Sequence, residues 1–89
     1  MAINNALYSA SGTSGTTYAA LSTANPEQYD SVQLYNDDGS IVQYFQIKGQ
    51  DVKVLANSVV SIDIRCSPNS VKLKSASGTP AYRVIMVGR

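Results

Sequence analysis

At 89 residues the chain has room for one domain, and its seven basic and six acidic side chains nearly cancel, which leaves no general pull toward nucleic acid or an acidic membrane surface. It contains no histidine, so Ser-His-Asp and Cys-His catalysis, His-ligated metals and imidazole pH switching are all excluded. A single cysteine, Cys66, excludes an internal disulfide or a thiolate cluster and reads as a partly buried structural thiol.

The first 29 residues differ from the rest of the chain. They carry neither a basic residue nor a continuous apolar core, so they do not read as a secretory signal. The longest aliphatic run of the chain, Val84-Ile85-Met86-Val87, is far short of a membrane span, and a soluble protein is expected. Ser9 to Thr17 is small, polar and aperiodic, and such a segment buries too little apolar surface to offset its ordering entropy. Large side chains stud it at intervals: Ile3, Leu7 and Tyr8, then Tyr18 and Leu21, then Tyr29. Tyrosine brings an apolar ring at low rotamer cost and a hydroxyl that bonds at the rim of a contact. Two arrangements use these studs: an extended arm laid on a partner, or a segment folded back on the protein's own sheet as a first strand. Asn25-Pro26-Glu27-Gln28 then makes a turn.

From Asp30 the pattern is β throughout. Val32 and Leu34 alternate with Gln33 and Tyr35, and Asn36-Asp37-Asp38-Gly39-Ser40 is a turn. Ile41 to Lys48 reads as the longest strand, half-apolar on both faces and therefore covered on both. After a Gly49-Gln50 turn, Val52 and Val54 alternate with Asp51 and Lys53. Asn57 to Leu73 reads as a β-hairpin around which the rest is built: Val60, Ile62 and Ile64 inward on one limb, a Cys66-Ser67-Pro68-Asn69-Ser70 turn, then Val71 and Leu73 inward with Lys72 and Lys74 outward. Ser75 to Pro80 is a loop, and Tyr82, Val84 and Met86 form one face of the last strand. The expectation is an all-β domain over residues 30–89, a small antiparallel sandwich or barrel of six to seven strands, with residues 1–29 as an extended N-terminal arm. A core this small, without disulfide or metal, calls for association with other chains.

No chemistry stands out along the chain. Asp37-Asp38 belongs to an Asn-Asp-Asp-Gly-Ser turn and lacks the regularly spaced oxygens of a calcium loop. The serine-rich loops hold no base, and the glycines form no phosphate-binding fingerprint, so neither enzyme nor cofactor is expected. Lys48, Lys53, Lys72 and Lys74 with Tyr44 could line a face for single-stranded nucleic acid, but strand lysines also guard against edge pairing, and the second reading is preferred. Charge is unevenly placed: residues 1–47 carry Glu27, Asp30, Asp37 and Asp38 and no base, whereas residues 48–89 carry all seven bases with only Asp51 and Asp63. The halves pair either within one molecule or between neighbouring copies.

Four segments taken together carry a resemblance. They are the Ser/Thr/Gly-rich N-terminal stretch, Tyr29-Asp30-Ser31-Val32-Gln33-Leu34-Tyr35-Asn36, Ala56-Asn57-Ser58-Val59-Val60-Ser61-Ile62, and Val71-Lys72-Leu73-Lys74-Ser75-Ala76-Ser77-Gly78-Thr79-Pro80-Ala81-Tyr82-Arg83-Val84. In this the chain resembles the small all-β decoration, or cement, proteins of tailed bacteriophage capsids. The resemblance implies a virion protein on the capsid surface, a homo-oligomer with a trimer favoured, whose arm grips the joints between major capsid protein subunits. Tyr8, Tyr18, Leu21 and Tyr29 would then be interface studs of the arm, and Tyr44 or Phe45 would face a neighbour. The alternative is a head-fibre or tail module that recognises a receptor or carbohydrate. Neither reading involves nucleic acid or a membrane.

Overall fold

The computed structural model describes residues 7–88. Among these the chain forms eight strands: β1 (Leu7–Thr13), β2 (Ala19–Ala20), β3 (Ser31–Asn36), β4 (Gln43–Ile47), β5 (Gln50–Val54), β6 (Ser58–Ile62), β7 (Val71–Ser75) and β8 (Ala81–Val87). They build two antiparallel sheets of four, one ordered β1-β8-β3-β6 and the other β2-β7-β4-β5. The fold is a small β-sandwich, with eight strands where the sequence predicts six to seven. Period-two alternation explains the layering. Val32 and Leu34 of β3 and Val84 and Met86 of β8 point from the first sheet toward Phe45, Ile47, Val54, Val71 and Leu73 of the second, and all are buried. Val52, Val60, Ile62 and Ile64, expected in the core, are only half-buried at its margin.

The expected hairpin over Asn57–Leu73 does not form. Its first limb, β6, pairs with β3 in one sheet, and its second, β7, pairs with β4 and β2 in the other. Both limbs are strands, as their alternation requires, but the link between them is an arch across the sandwich. Cys66 in that arch exchanges backbone hydrogen bonds with Tyr29, 2.8 and 3.0 Å long, and Pro68–Ser70 adds a single 3-10 turn. The same crossing recurs along the chain, since every connection except β4–β5 changes sheet. That one hairpin turns on Lys48 and Gly49, both at positive φ (50° and 79°), as a two-residue type I′ turn demands. The sequence places this turn one residue too late, because Lys48 is not a residue expected at positive φ.

A second feature escapes hydrophobic patterning altogether. Gln43 and Asn36 are fully buried between the sheets. The Gln43 amide donates to Asn36 Oδ1 and to the Ala81 carbonyl, both at 2.7 Å, and the Asn36 amide donates to the carbonyls of Ile41 and Val54. Ser14, buried as well, donates its hydroxyl to Gln43 Oε1 at 2.8 Å. Every buried polar side-chain atom among the described residues has a partner, so hydrogen bonds offset the cost of taking the network out of water.

The N-terminal segment is part of this sandwich over its described length. Residues 7–13 run along β8, Ala19–Ala20 runs along β7, Ser14 N–H bonds to Pro80 C=O, Ser75 N–H to Gly15 C=O and Leu21 N–H to Val71 C=O. Of the two arrangements open to this segment, its described part adopts the one within the chain: Tyr8, Leu21 and Tyr29 pack on the core, and Leu7 is left exposed. Ile3 lies outside the described residues.

Candidate interaction surfaces

Each residue expected at an interface has a definite place. Tyr29 is buried, with its ring 6.2 Å from that of Tyr8, which packs half-buried against the core. Leu21 packs against the same core from the side of β7. Phe45 is fully buried and meets Tyr82 edge-on at 6.3 Å, so it does not face a neighbour. Tyr29, expected as an interface stud, thus lies in the core, and of Tyr44 and Phe45 only Tyr44 is left on the surface.

Tyr18 and Tyr44 remain outside, on the outer face of the second sheet. Lys74 lies between their rings, with its ammonium 4.7 Å from the Tyr18 centroid and 5.7 Å from that of Tyr44. Register puts Lys53 and Lys74 on either side of Tyr44, and Asp51 and Lys72 on either side of Gln46. The lysines expected to guard an edge therefore divide. Lys53 stands on edge strand β5, but Lys72 and Lys74 stand on β7, inside the sheet. Asp51 tempers this basic face. It accepts a 2.7 Å hydrogen bond from the Tyr18 hydroxyl and another from Gln46. Partial burial and that bond push the Tyr18 pKa up to about 12.

The outer face of the first sheet has the opposite character. Its outward side chains are Leu7, Ser9, Ser11 and Thr13 on β1, Ala81, Arg83, Ile85 and Val87 on β8, Ser31, Gln33 and Tyr35 on β3, and Val59 and Ser61 on β6. Arg83 is the one charge among them, and Asp37 holds it through two hydrogen bonds of 2.7 and 3.2 Å. At one end Leu7, 65% exposed, stands opposite Val87, 41% exposed, with Ile85 beside them. At the other end Arg83 stacks on Tyr35 at 4.3 Å, and the two border a shallow hollow of about 260 Å³ lined also by Asp37, Asn57, Ser58 and Val59. The hydrogen bonds that Arg83 donates to Asp37 raise the Arg83 pKa above the ordinary guanidinium value.

Arg65 with Asp30 at 2.6 Å and Arg83 with Asp37 pair the acidic half with the basic half across the molecule. Asp38 instead accepts the backbone N–H groups of Ser40 and Ile41, which lower its pKa. Cys66 is buried, and burial raises its thiol pKa, against a smaller opposing pull from Lys48. No group of acidic, histidine or cysteine side chains among the described residues is arranged to hold a metal ion, and no helix there is long and apolar enough to cross a membrane.

The apolar corner at Leu7 and Val87 could not be found from patterning, because its two residues lie at opposite ends of the chain and meet only through β1–β8 pairing. Tyr35 and Arg83 meet the same way. Comparison with protein-family models, with curated proteins and with solved structures gives no match.

Proposed function

We propose that this chain is a structural virion protein, without catalytic activity, that seats the outer face of its first sheet on the outside of a bacteriophage capsid and bridges major capsid protein subunits. The observation that carries the reading is that face itself: nearly free of charge, lined with hydroxyls, and raised at one corner into the exposed pair Leu7 and Val87 beside Ile85. Apolar side chains clustered in the open, with polar neighbours around them, suit burial against another protein. Area buried across a subunit joint opposes the separation of those subunits, so the action is mechanical. The resemblance of the sequence to capsid decoration proteins supplies the identity of the partner.

The test is co-sedimentation with purified capsids, followed by thermal dissociation of the loaded particles. Bound protein should raise the temperature at which capsids dissociate. Leu7→Lys combined with Val87→Lys should weaken binding at least tenfold while leaving the circular dichroism spectrum unchanged. Capsids that neither bind the protein nor gain heat resistance would sink the proposal.

One observation favours a second reading, a fibre or tail module that recognises carbohydrate. The hollow beside Tyr35 combines an aromatic ring, a guanidinium, a carboxylate and an amide, the groups that hold sugar hydroxyls and ring faces. Glycan-array binding lost in Asn57→Ala would favour it over capsid seating.

A further inference from the structure

The four edges of the sandwich are guarded unequally. In the second sheet β5 carries Asp51 and Lys53, and β2 is only two residues long, both usual devices against edge pairing. In the first sheet β6 is shorter, five residues, and runs straight into Asp63 and Arg65, which put charge at its end. The remaining edge, β1, is seven residues long and carries neither charge nor proline.

Its free backbone groups can be assigned. Ser14 donates its N–H to Pro80, continuing the β1–β8 register in which Thr13 faces Ala81. On β8, the Ala81 and Val87 carbonyls accept from Asp37 and Asp30 on the side of β3, so the odd residues of β8 bond to β3 and the even ones bond to β1. Antiparallel pairing alternates residue by residue. Tyr8, Ala10 and Gly12 therefore spend their N–H and C=O groups on β8, and Leu7, Ser9, Ser11 and Thr13 present theirs to an edge that no other described strand pairs with.

We propose that two copies of the chain join along β1, antiparallel about a twofold axis at Ala10, so that their first sheets become one continuous eight-stranded sheet. This register places all four outward-bonding residues in hydrogen-bonded pairs, Leu7 with Thr13 and Ser9 with Ser11 of the second copy, for roughly eight new backbone bonds. It also fits the side chains. Tyr8 falls opposite Gly12, Leu7 opposite the Thr13 methyl, and Ala10 opposite itself, so each large group meets a small one. No charge opposes a like charge. A register shifted by two residues keeps the bonding phase but leaves part of the strand unpaired. Among possible occupants of the edge a second copy is favoured because β1 is complementary to its own reverse. The pairing is isologous and closes at two. It does not depend on capsid binding, and the capsid assay can fail without touching it.

The test is light scattering on the full chain over a concentration series, with two variants. The wild type should reach twice the 9.5 kDa chain mass. Ser11→Pro removes an N–H that points away from β8, so it should leave the sandwich folded and weaken dimerisation at least tenfold. Ala10→Cys in a Cys66→Ala background should form a disulfide-linked dimer on mild oxidation, because its twofold mate lies in a non-hydrogen-bonded pair about 4.5 Å away between Cα atoms. Thr13→Cys in the same background should not. The cysteine variant keeps the question decidable if the proline variant misfolds. A monomer at every concentration, a dimer indifferent to Ser11→Pro, equal cross-linking through Thr13→Cys, or an open-ended series of higher masses would each overturn the proposal, the last by pointing to β1 pairing with β6 instead.

Discussion

Gln43 ties β4 to three other segments of the chain. Its amide binds β3 through Asn36, β8 through the Ala81 carbonyl and the N-terminal segment through Ser14. Gln43→Leu keeps the bulk and removes all three bonds. Asn36 Oδ1 retains the Asp38 N–H and the Ala81 carbonyl retains the Asp37 N–H, but Ser14 loses its buried acceptor. The variant should lose at least about 2 kcal/mol in urea denaturation; stability equal to the parent's would show that the network holds nothing together. Tyr18 gives a second prediction at this scale. Its folded pKa of about 12 lies above the ordinary 10.0, so its contribution to stability is complete below pH 10 and is lost as pH rises toward 12. Asp51→Asn removes the negative charge beside the phenol while keeping an oxygen that can accept, and should bring the Tyr18 titration part of the way back toward 10, read from its ring carbon chemical shift. An unmoved midpoint would leave burial as the whole cause.

Among the elements, β1 is the one least announced by its sequence. Its inward residues are Tyr8, Ala10 and Gly12, and a Cβ on Gly12 would stand 3.2 Å from the Tyr82 hydroxyl, so the small residue makes room for a ring on β8. Removing residues 1–29 strips one edge from each sheet, opens the core at Tyr8, Leu21 and Tyr29, and takes from Gln43 Oε1 the hydroxyl of Ser14. Such a truncation should unfold without a cooperative transition, and a sharp melt near that of the full chain would show that residues 30–89 suffice. Strand identity elsewhere was legible wherever apolar residues alternate, as in β3, β5, β7 and β8. Partnership was not. Val60, Ile62, Val71 and Leu73 show the same period whether they face each other in a hairpin or belong to separate sheets, because alternation records only which side of a strand is dry. The Tyr44–Lys74 face was half legible for the same reason: both residues were read as outward or half-covered, but only β4–β7 pairing sets one against the other.

At the scale of the molecule, the uneven charge of the two halves resolves largely into local pairing. Arg65 with Asp30 and Arg83 with Asp37 are exposed contacts, each worth little to stability. Their effect is to leave the two broad faces unlike: Lys53, Lys72 and Lys74 with Asp51 on one, and hydroxyls, amides and aliphatic groups on the other. That contrast makes the face of the first sheet the better suited of the two to burial against an apolar surface.

Because Leu7 stands opposite Val87, both ends of the described chain leave the sandwich side by side. A few linking residues would close the chain into a ring, and the ring could be reopened between Lys48 and Gly49 in the other sheet. A reporter fused directly before Leu7 or directly after Gly88 would emerge beside the Leu7 corner and obstruct it, whereas the same reporter placed at the Lys48–Gly49 turn leaves that corner clear.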